Sequence, residues 1–321
     1  MNEKNEKPKL LISLGGNALH VSDPLHAHQK EEFEIARKSM SNIVDLMVNG
    51  YSKIILTHGN GPQVGQIFLQ QELTKNEFPR QITLDICVAD SQGRIGYILQ
   101  NVFDNICQQR GIDKKSFAVI TQVVVDPKDP AFNRPTKPIG VFYSKEEANK
   151  LTQERAWEFM EDAGRGYRRA VASPIPLEIV ETKIFKEILD QGYIGVGCGG
   201  GGIPVIKNPD GTLTGVEAVI DKDRTSALLA NSIDIEQLIL LTNVDGAYLN
   251  FNSPNPQLIK NVSVEKMETY IHEGEFSEGS MKPKVEAAVD FVKKSGKKAI
   301  IANLNALLPA IQGKAGTHIT A

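Results

Sequence analysis

The sequence predicts an α/β protein on a mainly parallel sheet, and three observations carry that reading. Apolar runs of strand length alternate with stretches of helical periodicity along most of the chain. Several of those runs end in glycine clusters, the punctuation expected where a strand passes into a helix. The 321 residues are 41% hydrophobic and 23% charged, ordinary globular composition with room for one large sheet domain or two smaller ones.

The elements follow in order. "KLLISL" (9–14) reads as a buried strand. Residues 30–49 place Phe33, Ala36, Met40, Ile43, Val44 and Met47 on one helical face. "KIILT" (53–57) is the next strand, and 62–73 a helix opened by Pro62. Ile95, Ile98, Leu99, Val102 and Ile106 mark a helix over 94–109, and "FAVITQVVV" (117–125) reads as one strand. "YIGVG" (193–197), "IEQLILLT" (235–242) and "KKAIIA" (297–302) complete the strands, and 203–220 reads as a hairpin about Pro209-Asp210-Gly211. Residues 126–176 break the alternation. They are proline-rich, carry a short helix and a basic cluster, and hold Phe142, Trp157, Phe159 and Tyr167, the content of a folded insert or lid.

Net charge is −3, with no long block of like charge, so there is no electrostatic footprint for nucleic acid. Cys87, Cys107 and Cys198 are widely spaced and read as reduced core residues. No apolar run approaches a membrane span or a signal peptide, so a soluble cytoplasmic enzyme is expected. The histidines show no metal spacing, and no nucleophile motif or P-loop occurs.

Three glycine loops remain: "LGGNA" (14–18), "THGNGPQVG" (57–65) and "VGCGGGG" (196–202). Each follows an apolar run, where exposed N–H groups and helix N-termini make anion sites. Glycine is expected there because a ligand must come close to the backbone. Gly195, Gly197 and Gly200 also match a dinucleotide fingerprint with Glu217 as the ribose acid, but Pro204 and the hairpin follow where a helix would have to begin. "VIDKDRTSALLAN" sets Lys222 between Asp221 and Asp223 where a strand gives way to a helix, and "GSMKPKVEAA" puts Lys282 and Lys284 at another helix start. Cations there oppose the helix dipole by about 0.3–1 kcal/mol each, a cost that a bound anion would reverse.

These loops, with "VEAVIDKD", "LTNVDGAY" and "GSMKPKVEAA", resemble the amino-acid kinase superfamily from about residue 9 to the last residues. "VVVDPKDPAFNRPTKPIGVFY" and "GRGYRRAVASPIP" resemble its carbamate kinase family in particular. The resemblance implies one domain over 1–321, a three-layer αβα sandwich with an open, mainly parallel sheet of about eight strands. An N-lobe (1–215) would take carbamate or carbamoyl phosphate, with the 126–176 subdomain protruding from it, and a C-lobe (216–321) would take ATP or ADP with Mg2+. By motif, Gly15, Gly16, Asn17, Gly59, Asn60, Gly61, Gly199 and Gly200 would line the acceptor side. Lys222, Lys284 and Lys137 would hold the transferring phosphoryl group. Asn243, Val244, Asp245, Tyr248 and Met281 would border the nucleotide. A homodimer and a place in arginine catabolism are implied as well. Val88-Ala89-Asp90 and Lys282 depart from the family's pattern.

Carbamate is already an anionic nucleophile, so no general base is required, and positioning and charge compensation suffice. Asp221 is expected to orient Lys222 or a metal-bound water, and Asp223 to cap a helix beginning at Arg224. Two other readings stay open: an acyl-phosphate-forming kinase of an amino-acid carboxylate, and a nucleotide-binding regulator without turnover.

Overall fold

Eight strands form one large sheet, supplied by the apolar runs: β1 (Leu10–Leu14), β2 (Ile54–His58), β3 (Ser116–Ala118), β9 (Ile194–Gly197), β12 (Gln237–Thr242), β15 (Asn261–Ser263), β16 (Lys298–Asn303) and β17 (Thr317–Thr320). Their order is β15-β17-β16-β12-β1-β2-β9-β3. The strands from β16 to β3 run parallel, and β17 returns antiparallel to β16 with β15 parallel to it. This computed structural model describes residues 7–15, 29–79, 82–155, 157–161, 164, 166–277 and 280–321.

Helices cover both faces. Successive strand side chains point to opposite sides, so each strand feeds two cores. Leu10, Ile12, Ile54, Ile239 and Ile300 pack with α1 (Gln29–Val48), α3 (Leu84–Gln109) and α9 (Leu307–Ile311). Leu11, Ile55, Leu238, Leu240 and Ile301 pack with α5 (Thr182–Asp190), α6 (Lys222–Ser232), α7 (Val264–His272) and α8 (Met281–Ser295). The three-layer sandwich is therefore present. Cys87, Cys107 and Cys198 are buried free thiols. Among the described residues no helix is long and apolar enough to cross a membrane.

A second sheet, in the order β11-β10-β4-β8, holds β4 (Gln122–Val125), β8 (Pro176–Ile179), β10 (Ile203–Lys207) and β11 (Leu213–Gly215), the last two being the antiparallel arms of the expected hairpin. A third, β5-β7-β6, is made by the insert from β5 (Lys137–Tyr143), β6 (Glu158–Glu161) and β7 (Tyr167–Val171), with α4 (Lys145–Arg155) beside it. It rests on α2 (Gly61–Thr74) and α3 through a separate apolar cluster of Val64, Leu84, Val88, Val124, Ile139 and Val171. Val88, one of the departures noted in the sequence, is thus a fully buried core residue, with Ala89 packed beside it and Asp90 exposed. A short pair, β13 (Tyr248–Leu249) and β14 (Gln257–Leu258), completes the strands.

Two elements differ from expectation. The run 117–125 is two strands in two sheets: β3 edges the large sheet and β4 lies inside the second. The Gln92 side chain makes the break, accepting from the Thr121 N–H at 2.8 Å and donating to the Thr121 carbonyl at 3.2 Å. The helix expected over 94–109 begins ten residues earlier, at Leu84. Thr83 takes the N-cap position without a side-chain bond, and the first turn is capped from far away, the Leu84 N–H donating to Glu217 at 2.9 Å. Glu217, the ribose acid of the dinucleotide reading, is occupied by this cap.

The third glycine cluster has another reason than the expected one. A Cβ on Gly197 would lie 2.2 Å from the Phe185 ring, on Gly199 2.5 Å from His58, on Gly200 2.1 Å from Asn60, on Gly201 2.3 Å from the Ile220 carbonyl oxygen and on Gly202 2.2 Å from Val123. Gly200, Gly201 and Gly202 also have positive φ, which side chains resist. The cluster is a tight turn packed against protein on most sides, and only part of it meets the cavity. Gly197→Ala is expected to destabilise the fold by about 1–3 kcal/mol through overpacking against Phe185. Phe185→Leu in the same chain should restore part of that loss in urea unfolding. An unchanged midpoint for Gly197→Ala would refute this packing account.

Candidate active site

A cavity of about 340 Å³ opens at the carboxyl ends of β1, β2 and β12, where ligands of open α/β sheets bind. Gly15 follows β1, Gly59, Asn60 and Gly61 follow β2, Thr242 ends β12 and Asn243 follows it; all of them line the cavity. Gly200, the start of β5 and the first turns of α6 and α8 close the remaining walls. Among Gly15, Gly59 and Gly61, close approach demands the missing side chain at Gly15 alone, and the neighbour is protein backbone. A Cβ on Gly15 would lie 2.7 Å from the Leu241 carbonyl oxygen, and Gly61 faces open space at the N-terminus of α2. Gly59 lies along the stem of Lys222, where a Cβ would stand 3.5 Å from Cδ.

The floor is a buried ion triad. Lys222 is the first residue of α6, and its ammonium donates to Asp223 Oδ1 and, at 3.0 Å, to Ser13 Oγ on β1. Lys284, in the first turn of α8, donates to the other oxygen of Asp223 at 2.6 Å. Asp223 is 3% exposed, and Ser13 donates to its Oδ1 at 3.2 Å. Burial alone would raise the Asp223 carboxyl, but the two ammoniums overcome it and hold the group far below the carboxylate range. Burial lowers the Lys222 ammonium to about 8, against the pull of Asp223 and with the repulsion of Lys284. Burial also acts against Lys284, yet Asp223 outweighs it and lifts that ammonium above the usual lysine value.

The two aspartates have exchanged the roles expected of them. Asp221 is the helix cap: its Oδ1 accepts from the N–H groups of Asp223 at 2.9 Å and Arg224 at 3.2 Å, so α6 starts at Lys222 and not at Arg224. Its Oδ2 takes the ammonium of Lys137, at 2.6 Å, from the insert. Burial would raise this carboxyl, and Lys137 more than offsets it, leaving it below the ordinary value. Asp223, expected as the cap, is the residue that orients Lys222. Spacing cannot separate the two, because both flank one lysine at one helix start.

Of the other sequence-selected residues, Lys137, Gly15, Gly59, Asn60, Gly61, Gly200 and Asn243 come together around the cavity. Gly16 and Asn17 lie outside the described residues. Gly199 sits behind the wall, against His58 and Gln92. Val244, Asp245 and Tyr248 continue the chain beyond Asn243 rather than line the cavity, and burial and the nearby Asp245 raise the Tyr248 hydroxyl above its ordinary value. Met281 begins α8 and packs against the core.

Sequence reasoning missed His58 and Ser13. His58 is 1% exposed, and its Nδ1 meets the Gly59 carbonyl at 3.0 Å, shaping the second glycine loop. Burial, reinforced by Lys222, lowers its pKa to about 4 although the Gly59 carbonyl opposes this, so the ring is neutral near pH 7. Ser13 is the one polar residue of an otherwise apolar buried strand, a signal visible in "LLISL".

Residues 8–303 match the Amino acid kinase family. Carbamate kinase of Clostridium perfringens is 45% identical over 318 residues, spanning 97% of this chain and 99% of its own. Carbamate kinase of Pyrococcus horikoshii is 44% identical over 314 residues, with the same coverage. The solved structure of carbamate kinase from Giardia lamblia bound to AMP-PNP superposes with a TM-score of 0.88 at 37% identity, over 98% of each chain. With likeness at this level over almost the whole length, and the sandwich and its lysine-lined cavity in place, the chain belongs to the amino-acid kinase family, among its carbamate kinases.

Proposed function

We propose that the chain transfers a phosphoryl group reversibly between ATP and carbamate in this cavity, and that it works to make ATP from carbamoyl phosphate and ADP, as arginine catabolism would require. The observation that carries the proposal is the Lys222–Asp223–Lys284 triad beneath the glycine loops. A phosphoryl group in transfer spreads negative charge over its equatorial oxygens. Two ammoniums fixed by one buried carboxylate are aimed before the substrate arrives, so little reorganisation accompanies the reaction. Lys222 and Lys284 compensate the phosphoryl charge, N–H groups of the Gly59–Gly61 loop and the α2 N-terminus hold the acceptor side, and Lys137 approaches from the insert. Asp223 orients both lysines, and Asp221 holds Lys137 and caps α6. In this reading the N-lobe (1–215) and C-lobe (216–321) hold acceptor and nucleotide, and residues 126–176 act as a lid.

Mg2+ would travel with the nucleotide, neutralising its phosphates. Asp221 and Asp223 are engaged by lysines and helix N–H groups, and no cluster of three or more His, Cys, Asp or Glu among the described residues could hold an ion. The binding of ATP or ADP beside Asn243, Val244, Asp245, Tyr248 and Met281 belongs to the same reading. So do a cytoplasmic location and a homodimer, whose interface would suit the exposed Phe117, Ile120, Leu177 and Val180 near the sheet edges.

Purified protein should form ATP from carbamoyl phosphate, ADP and Mg2+. Activity with N-acetylglutamate or aspartate and none with carbamoyl phosphate would overturn the assignment. Lys222→Met should lower kcat by about 10²–10³ while ADP affinity stays within a few-fold. Turnover near wild type would make Lys222 a bystander.

The pH profile offers an independent check. The charged form of Lys222 predominates below about 8 and is lost above it. The profile of kcat/KM, which reports free-enzyme groups, should therefore fall as pH rises through about 8. The residual activity of Lys222→Arg should lack that limb, since guanidinium stays protonated there. A wild-type profile flat to pH of about 10, the ordinary lysine value, would sink this role.

A further inference from the structure

We propose that Gly65 is a positioning residue for Lys137: its missing side chain lets α2 touch the backbone of β5, and this contact sets where the Lys137 ammonium stands over the cavity. The proposal rests on the reading of Lys137 given above.

The geometry is a seam along α2. Gly65, Phe68 and Glu72 are spaced three and four residues apart and share one helical face. Gly65 is nearest the cavity, and a Cβ there would lie 1.9 Å from Gly140 Cα and 2.2 Å from Gly140 N. These atoms are backbone, so no side-chain rotation relieves the clash. β5 bulges against β7 between Ile139 and Tyr143, and Gly140 has φ +76, a conformation that suits glycine. The reverse contact is loose, since a Cβ on Gly140 would stand 3.6 Å from Gly65 Cα. Each glycine thus has its own cause: close approach at Gly65, backbone conformation at Gly140.

Farther along, the Arg169 guanidinium lies between the rings of Phe68, at 4.2 Å, and Trp157, at 4.5 Å. Its Nη1 is buried with no hydrogen-bond acceptor among the described residues, and the two ring faces flank the guanidinium. At the far end Glu72 takes Arg155. All three contacts join α2 to the insert. Lys137 is three residues before Gly140 on β5, and Pro138 and Ile139 between them also line the cavity. Because α2 begins at the Gly59–Gly61 loop, one rigid helix carries both the acceptor loop and the stop against which β5 rests. A displacement of about 1 Å at a catalytic group can cost up to about 10²-fold in rate.

The test is a double-mutant cycle in the carbamoyl phosphate and ADP assay. Gly65→Ala should raise the KM for carbamoyl phosphate about 5- to 20-fold and that for ADP less than about 2-fold, and in a Lys137→Ala background its effect should shrink below about 2-fold. Phe68→Ala introduces no clash and covers the case in which Gly65→Ala does not fold. It should give a smaller acceptor-side loss, about 2- to 5-fold, that again vanishes without Lys137. Equal losses with and without Lys137 would mean that the seam acts on the α2 loop, and would overturn the proposal, as would wild-type kinetics for Gly65→Ala and Phe68→Ala. A silent Lys137→Ala would instead remove Lys137 from the mechanism, and this proposal with it.

Discussion

Asp223 holds two ammonium groups in a place where an isolated charge of either sign would be very costly. Each of its oxygens accepts from a different lysine, one from α6 and one from α8, while Ser13 of β1 adds a further bond. Three elements distant in sequence are thereby tied at one point. Removing one partner of a buried ion pair typically costs about 3–5 kcal/mol, because the remaining charge stays buried without compensation. The same arrangement keeps Lys222 and Lys284 close together despite their repulsion. Near neutral pH the site is poised with its positive charge already gathered.

The cavity's charge balance follows. Lys137, Lys222 and Lys284 stand against Asp221 and Asp223, so the walls carry a slight positive excess and every ammonium has a carboxylate partner. In the proposed reaction an incoming phosphoryl group would meet lysines already oriented by their carboxylates. His58 beneath the second loop is neutral near pH 7 and adds no competing charge.

The insert depends on the same point. Lys137 reaches the site through Asp221, whose other oxygen caps α6, the helix that carries Lys222 and Asp223. The insert's approach and the floor of the cavity are thus linked within three consecutive residues. Its entrance and exit are also joined, because Asp129 accepts from Ala131 at 2.8 Å and from Ile175 at 2.8 Å.

Much of this was legible in the residues. Apolar runs located most strands and helical periodicity most helices of the sandwich, because a strand buried on both faces is apolar throughout while a helix buried on one face repeats. The glycine clusters and the lysines at helix starts marked the cavity, since both are locally unfavourable and need a reason. Long-range partners decided the rest. Glu217, distant in sequence, starts α3, and Gln92 breaks the run 117–125 into two strands. The division of labour between Asp221 and Asp223 was hidden, because neighbours on a helix start differ only in which tertiary partner each can reach. All five glycines of "VGCGGGG" answer to Phe185, His58, Asn60, Ile220 and Val123 in turn, contacts that no local pattern announces. Sequence by itself determined the layers and the chemistry available to the cavity, through periodicity and residue type. Tertiary structure alone decided which carboxylate holds which lysine, because hydrogen bonds and charge pairing depend on distances that only packing sets.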